Sequence, residues 1–301
     1  MFSDLRLRSR IGIVRDSKPL ERNRMLRGRK PEKKAKRLKA LIFGESGVGK
    51  TTLATQFPKP YVIDTERGSV NDQYVDRINA SGGAVFHTTS FDEIVQEVRS
   101  LISVDHDFRT LVIDPVTVVY EDMLAHWERR VGSDYGRHFA AAKKEWRRLS
   151  ALLSHLDMNV ILTAHAKLQY ADDGSFKVIG ATYDGAKGTD YWVDLSLECF
   201  REDGKRSFRI IKSRIDGLKE GEVWPINYDW IASGYGGNLE GAAVTRDLVD
   251  HVDLEMVKLM LEDRQDGEAL LTKWLRAAGV EELEDMQSDQ VRRCIEWMQK
   301  N

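Results

Sequence analysis

Eight consecutive residues constrain this chain more than any others: Gly44-Glu45-Ser46-Gly47-Val48-Gly49-Lys50-Thr51. They follow a short apolar segment, residues 38–43, and lead into a stretch of helical character over 50–56 that ends before Pro58. A glycine-rich turn between strand and helix builds an anion cradle. Gly44, Gly47 and Gly49 allow the backbone angles that aim successive N–H groups inward. The helix behind them adds its own unpaired N–H groups and the positive end of its dipole. Lys50 brings a point charge to the β- and γ-phosphates, and the Thr51 hydroxyl can ligate Mg²⁺. The spacing matches the phosphate-binding loop of nucleotide-binding proteins. It assigns ATP and Mg²⁺ to Gly44, Glu45, Ser46, Gly47, Val48, Gly49, Lys50, Thr51 and Thr52.

A second carboxylate site belongs with such a cradle. Asp114 ends the apolar run Thr110-Leu111-Val112-Ile113 and is placed to hold Mg²⁺ through water, alongside Thr51. Strands are also expected over 60–64 and 159–163, and helices over 91–102, 116–131 and 137–156. From 194 to 230 the pattern changes to alternation, with short strands over 195–200, 207–212 and 222–226 and a turn at Asp203-Gly204. Strand–helix alternation followed by a meander predicts an α/β fold. Its central sheet is mostly parallel and flanked by helices, with antiparallel strands at one edge. The site then lies at the C-terminal ends of the parallel strands.

Charge divides the chain further. Residues 1–40 carry fifteen Lys/Arg against four Asp/Glu, whereas 245–301 carry eight against fourteen. The pattern predicts a basic N-terminal arm (1–37), a core (38–232), a Gly-rich linker (233–245) and an acidic helical C-terminal region (246–301). In that last region Val252, Met256, Leu259 and Met260, and then Leu270, Leu271, Trp274 and Leu275, recur at helical spacing. Such stripes are ordinary core or, alternatively, a surface for a protein partner. Apolar runs are too short to span a bilayer, and the N-terminus has no apolar leader. Cys199 and Cys294 stand alone, without metal-ligand spacing. Reduced thiols in a cytoplasmic protein, with no membrane partner, are therefore expected.

The segment Val62-Ile63-Asp64-Thr65-Glu66 resembles the RecA-like ATPases, in which a strand ending Ile-Asp-x-Glu supplies the glutamate that polarises attacking water. The resemblance implies Glu66 as general base, with Asp64 as its fallback. Asn159-Val-Ile-Leu-Thr-Ala-His165 looks like the strand whose end senses the γ-phosphate, so Thr163 and His165 fall at that position. RecA itself has glutamine there, and the histidine is a departure. Ile211-Lys212-Ser213-Arg214 resembles the Lys-x-Lys pair that reaches a neighbouring subunit's ATP, which implies Lys212 and Arg214 as catalytic cations in trans.

Taken whole, residues 38–230 are similar to phage-encoded RecA-like ATP-binding proteins, a branch associated with single-strand annealing and recombination. Thr51-Thr52-Leu53-Ala54, Phe57-Pro58-Lys59-Pro60, Asp134-Tyr135-Gly136 and Thr163-Ala164-His165-Ala166-Lys167 add to the match. The resemblance implies a homo-oligomer, ring or filament, and single-stranded DNA as partner. Its candidate contacts are 132–139, with Tyr135, Arg137, His138 and Phe139, and 167–187, with Tyr170, Phe176, Lys177, Tyr183 and Lys187. Lys143, Lys144, Arg147 and Arg148 form a further basic stripe, and the arm offers sequence-independent phosphate contact. Two alternatives remain open. One is a nucleotide-gated interaction module with little hydrolysis, and the other is a RecA-fold helicase or loader. The absence of Asn-Lys-x-Asp disfavours a GTPase, and no arginine-rich lid points to a small-molecule kinase.

Overall fold

Successive residues of the central strands enter different cores, which is what turns a short apolar run into a strand rather than a helix. In β1 (Lys39–Gly44), Leu41 and Phe43 join one apolar cluster while Ala40 and Ile42 join the other. The same division holds in β2 (Pro60–Asp64), with Ile63 on the first side and Val62 on the second. In β4 (Thr110–Asp114), Leu111 and Ile113 oppose Val112. A strand covered on both faces needs no polar alternation, so these runs read as continuously hydrophobic. The computed structural model describes residues 36–68, 72–171, 176–236, 239–245, 248, 251–262 and 264–300. The basic arm expected over 1–37 lies almost wholly outside the described residues.

The chain order is β1, α1 (Lys50–Ala54), β2, α2 (Asp72–Ala80), β3 (Ala84–His87), α3 (Phe91–Ser103), β4, α4 (Val116–Val131) and α5 (Arg137–His155). There follow β5 (Asn159–Tyr170), β6 (Val178–Asp184), α6 (Thr189–Trp192), β7 (Leu195–Glu202), β8 (Lys205–Ser213), β9 (Val223–Pro225) and α7 (Tyr228–Tyr235). Among the described residues the strands form one nine-stranded sheet, in the order β3-β2-β4-β5-β1-β7-β8-β9, with β6 paired to β5. From β3 to β7 all neighbours are parallel, and β8, β9 and β6 are antiparallel. The expected parallel centre with antiparallel strands at one edge is observed, and β6 is a further antiparallel partner of the central β5.

Helices α3, α4 and α5 cover one face of the sheet. Helix α3 starts where Ser90 accepts the N–H of Glu93, with Asp92 and Glu93 in its first turn. Such a cap is worth about 1 kcal/mol, and the acidic first turn adds a favourable dipole contact. Helices α1 and α7, with Phe57 and Ile78, cover the other face.

The strand expected over 159–163 runs on to Tyr170. Beyond His165, β5 leaves its parallel neighbours and pairs with β6 instead. The linker expected from residue 233 begins inside the last turn of α7, and its later residues are fastened to the core. Asn159 Nδ2 donates to the Leu239 carbonyl at 2.8 Å, Arg37 donates to that of Ala242, and Val244 N–H donates to Asp157 Oδ2 at 2.9 Å.

The C-terminal helices α8 (His251–Glu262), α9 (Gly267–Ala278) and α10 (Ser288–Lys300) gather a separate apolar cluster around Val257, Leu270 and Val291. Acidic residues between α9 and α10 meet cations of the core: Asp285 lies 3.2 Å from Arg148 and 3.7 Å from Arg99, and Glu282 lies 3.2 Å from Lys144. Among the described residues no helix is long and apolar enough to cross a membrane.

Candidate functional site

Parallel pairing brings the ends of four adjacent strands to one edge. Gly44 sits level with His165, Asp64 level with Asp114, and Thr163 two residues before His165 on the same strand. The turn after β1 then wraps back into α1. Gly47 and Gly49 take φ of 75° and 109°, where a Cβ is strained, and Gly49 caps α1. Gly44 is required for closeness as well: a Cβ there would stand 2.3 Å from the Cys199 carbonyl oxygen.

Lys50 Nζ folds over this turn and donates to the carbonyls of Gly44 at 2.9 Å and Glu45 at 2.7 Å. Burial lowers its pKa, and the Asp114 carboxylate opposes that shift. A cavity of about 260 Å³ opens above, lined by Lys50, Thr51, Asp64, Glu66, Asp114 and His165 among others.

The residues fit the cation that an ATP site needs. The Thr51 hydroxyl donates to Asp114 Oδ2 at 2.7 Å, so the two groups assigned to Mg²⁺ already touch. Thr163 Oγ1 donates to the other Asp114 oxygen. Burial pushes the Asp114 carboxyl above its ordinary range, against the pull of those two hydroxyls. A hard cation beside it would relieve that desolvation.

Asp64 and Glu66 take different positions. Asp64 is 2% exposed, and its Oδ1 accepts the N–H groups of Glu66 and Gly68, both at 3.1 Å, while Oδ2 lies 3.4 Å from His87 Nδ1. It therefore shapes the turn that presents Glu66, and the fallback role of base does not suit a carboxylate so committed. Glu66 stands at the cavity mouth with His165 Nε2 3.1 Å from its Oε1. The His165 N–H donates to Thr117 Oγ1, whose own hydroxyl donates to the Asp184 carbonyl at the end of β6. One threonine thus ties the start of α4 to both strands of the β5–β6 hairpin.

Lys212 and Arg214 lie elsewhere. Strand β8 runs antiparallel, so Lys212 pairs with Ser196 and Ser213 with Leu195, near the opposite edge of the sheet from the cradle. Lys212 lies three strand residues and Ser213 four below the level of Gly44, about 10–13 Å at strand rise. Lys212 Nζ donates to the carbonyls of Asp190 and Val193, and Arg214 donates to that of Tyr191, capping the end of α6. They do not reach their own cradle.

The two regions expected to meet nucleic acid differ from expectation in part. Residues 134–136 form a 3-10 turn with Tyr135 fully exposed at φ 53°, and Phe139 is 54% exposed. Within 167–187, residues 167–170 and 178–184 are paired antiparallel strands rather than loop, and Leu168, Tyr170, Phe176, Val178 and Ile179 are exposed. Tyr183 is not available for stacking, because its hydroxyl donates to Asp190 and its ring packs on the core. The stripe on α5 is engaged in part: Lys144, Arg147 and Arg148 face Glu282, Glu281 and Asp285.

Sequence reasoning missed Thr117 and Arg206. Thr117 carries no local signal beyond following Asp114 by three residues. Arg206 enters the cavity lining only because the antiparallel return of β8 brings it beside Gly49.

The strand order and the phosphate cradle at its C-terminal edge define a P-loop ATPase core of α/β architecture. A family model described as AAA domain matches residues 36–214, and the chain belongs to that family. The crystal structure of the RadB recombinase is similar at a TM-score of 0.41 and 20% identity, over 63% of this chain and 86% of that one. No curated protein matches the sequence.

Proposed function

We propose that the protein is an ATP hydrolase that binds single-stranded DNA and promotes annealing or recombination, as the resemblance to phage-encoded RecA-like proteins implies. One observation carries this reading: the Glu66–His165 pair at the cavity mouth lies at the root of an exposed apolar hairpin. Glu66 is the general base that orients water toward the γ-phosphate, and His165 senses that phosphate. The backbone of 44–51 cradles the α- and β-phosphates, and Lys50 reaches the β- and γ-phosphates. Thr51 and Asp114 would hold Mg²⁺, which when bound neutralises charge on the phosphate oxygens.

Movement of His165 between Glu66 and the γ-phosphate passes directly into β5 and its hairpin, since its own N–H is held by Thr117. Tyr170 and Phe176 on the hairpin, and Tyr135 and Phe139 beside α5, provide rings on which bases stack. Lys212 and Arg214 act in trans, in a ring or filament, because their distance from their own cradle leaves a neighbouring subunit's ATP as their target. The 1–37 arm adds non-specific phosphate contact.

Phosphate release measured with and without single-stranded DNA, with particle size read on the same samples, tests the proposal. DNA should raise the rate, and Glu66→Gln should abolish it while ATP binding survives. Turnover indifferent to DNA, in a protein that stays monomeric, would sink the annealing role. It would favour the nucleotide-gated interaction module, for which exposed Met256 and Leu259 on α8 offer a partner surface.

A further inference from the structure

The hairpin joining β7 to β8 returns the chain to the phosphate cradle with a cation that the ATP-site assignment does not use. Arg206 stands at this return. Its Cδ would lie 3.4 Å from a Cβ built on Gly49, the residue that caps α1, and its side chain lines the same cavity as Lys50 and Thr51. The strand beneath it is fixed, because the Ile226 N–H donates to the Arg206 carbonyl and the Ile226 side chain also packs toward Gly49. The stem of Arg206 therefore has a fixed base, while the residue as a whole is exposed.

Among the described residues this arginine forms no ion pair, although Asp64, Glu66 and Asp114 line the same cavity. In the β7–β8 ladder the register partner of Arg206 is Arg201, a second cation. Like charges directly across a strand pair are unfavourable. Among the described residues no carboxylate lies within salt-bridge distance of Arg206. Further along the ladder Arg209 pairs with Glu198 at 3.0 Å. Lys212 and Arg214 are too distant to supply cis charge, so Lys50 and Arg206 are the lysine and arginine lining the cavity among the described residues. A bound polyphosphate would give the exposed Arg206 guanidinium an anionic partner.

We infer that Arg206 is a nucleotide-positioning residue acting in cis, holding the α/β end of the bound nucleoside di- or triphosphate. The position of Gly49 sets which end: it caps the helix whose N–H groups cradle the α- and β-phosphates, whereas Glu66 and His165 stand at the γ side. The inference rests on the reading of residues 44–51 as a nucleotide site and adds a contact to it. Because α- and β-phosphates are common to ATP and ADP, Arg206 contributes equally to both and does not act on the transition state. Its loss is a loss of uniform binding, visible in KM and not in kcat.

The test compares wild type with Arg206→Ala, Arg206→Lys, Lys205→Ala and Lys50→Ala. Affinity for Mg-ATP and Mg-ADP is measured by titration, steady-state hydrolysis is measured alongside, and each variant's melting temperature reports folding. Arg206→Ala should weaken ATP and ADP alike by about 10- to 100-fold, the loss expected of a charge-assisted contact, with kcat unchanged. Arg206→Lys should recover part of the affinity, and Lys205→Ala, which removes a neighbouring exposed cation, should match wild type. Unchanged affinities in a folded Arg206→Ala, or a defect confined to ATP, would overturn the assignment of Arg206 and leave the cradle standing. Failure of wild type to bind either nucleotide, with Lys50→Ala indistinguishable from it, would overturn the cradle and this contact together.

Discussion

Thr163→Val isolates a single hydroxyl at the junction of fold and site. Thr163 is fully buried on β5, and its Oγ1 donates to one oxygen of Asp114, whose other oxygen accepts from Thr51. Valine keeps the β-branched shape that suits the strand and replaces the hydroxyl with a methyl group. The packing of β5 should survive, so the effect reports the hydrogen bond. A hydrogen bond to a charged partner contributes about 1.5–3 kcal/mol, and a buried acceptor left without one costs a similar amount. For a chain of this size each kcal/mol moves the melting temperature by roughly 2–4 °C, so the expected fall is about 3–12 °C. Thermal unfolding without nucleotide measures it directly, and urea unfolding checks that the m-value, and hence the exposed surface, is unchanged. Mg²⁺-dependent ATP binding should weaken as well, because Asp114 loses the contact that fixes its orientation. A melting temperature within about 2 °C of wild type, the range of an inert surface change, would refute the claim that Thr163 holds Asp114.

The same geometry sets further expectations. Gly44→Ala should lose both stability and ATP binding, since its Cβ collides with the Cys199 carbonyl; relief of about 1–3 kcal/mol of overpacking has to come from the cradle itself. Normal ATP affinity in that variant would contradict the close approach. Arg148→Ala leaves Asp285, whose side chain is 1% exposed, with Arg99 as the cation that remains. Because Arg99 still compensates part of the Asp285 charge, the loss should be about 1.5–3 kcal/mol, that of one charge-assisted hydrogen bond, and urea should unfold the variant at a lower midpoint. Lys212→Ala and Arg214→Ala should slow hydrolysis without changing ATP affinity, and activity that is linear in protein concentration for wild type would argue against their role in trans. Cys199 should resist thiol reagents in the native protein. Burial pushes its thiol up to about 12, so at pH 8 only about one in ten thousand is thiolate until denaturant exposes it.

The cradle was legible because its chemistry is local. Gly44 to Thr51 are contiguous, the strand before them and the helix after them are set by neighbouring residues, and no distant partner is needed to recognise them. The parallel strands were legible for a related reason: a run buried on both faces is apolar at every position, and β1, β2 and β4 are nearly so. Short elements with mixed surfaces were not. Strand β3 has no fully buried residue, and β6 is exposed along nearly half its length, so neither leaves a periodic trace. The extent of β5 past His165 depends on β6 as a partner, and no property of residues 166–170 alone specifies it.

What the sequence determined by itself was the chemistry available at each position: a phosphate-binding turn, a carboxylate after β4, a glutamate after β2 and a histidine on β5. Tertiary structure decided which of these meet. Register put Glu66 against His165 and Thr163 against Asp114, and it turned Asp64 into the support of a loop. The antiparallel return of β8 carried Lys212 and Arg214 to the far edge and delivered Arg206 to the cradle. The physical reason is the range of the forces involved. Backbone propensity and burial act through neighbours in the chain, whereas a hydrogen bond or ion pair acts over about 3 Å between groups whose separation only strand order and register can set.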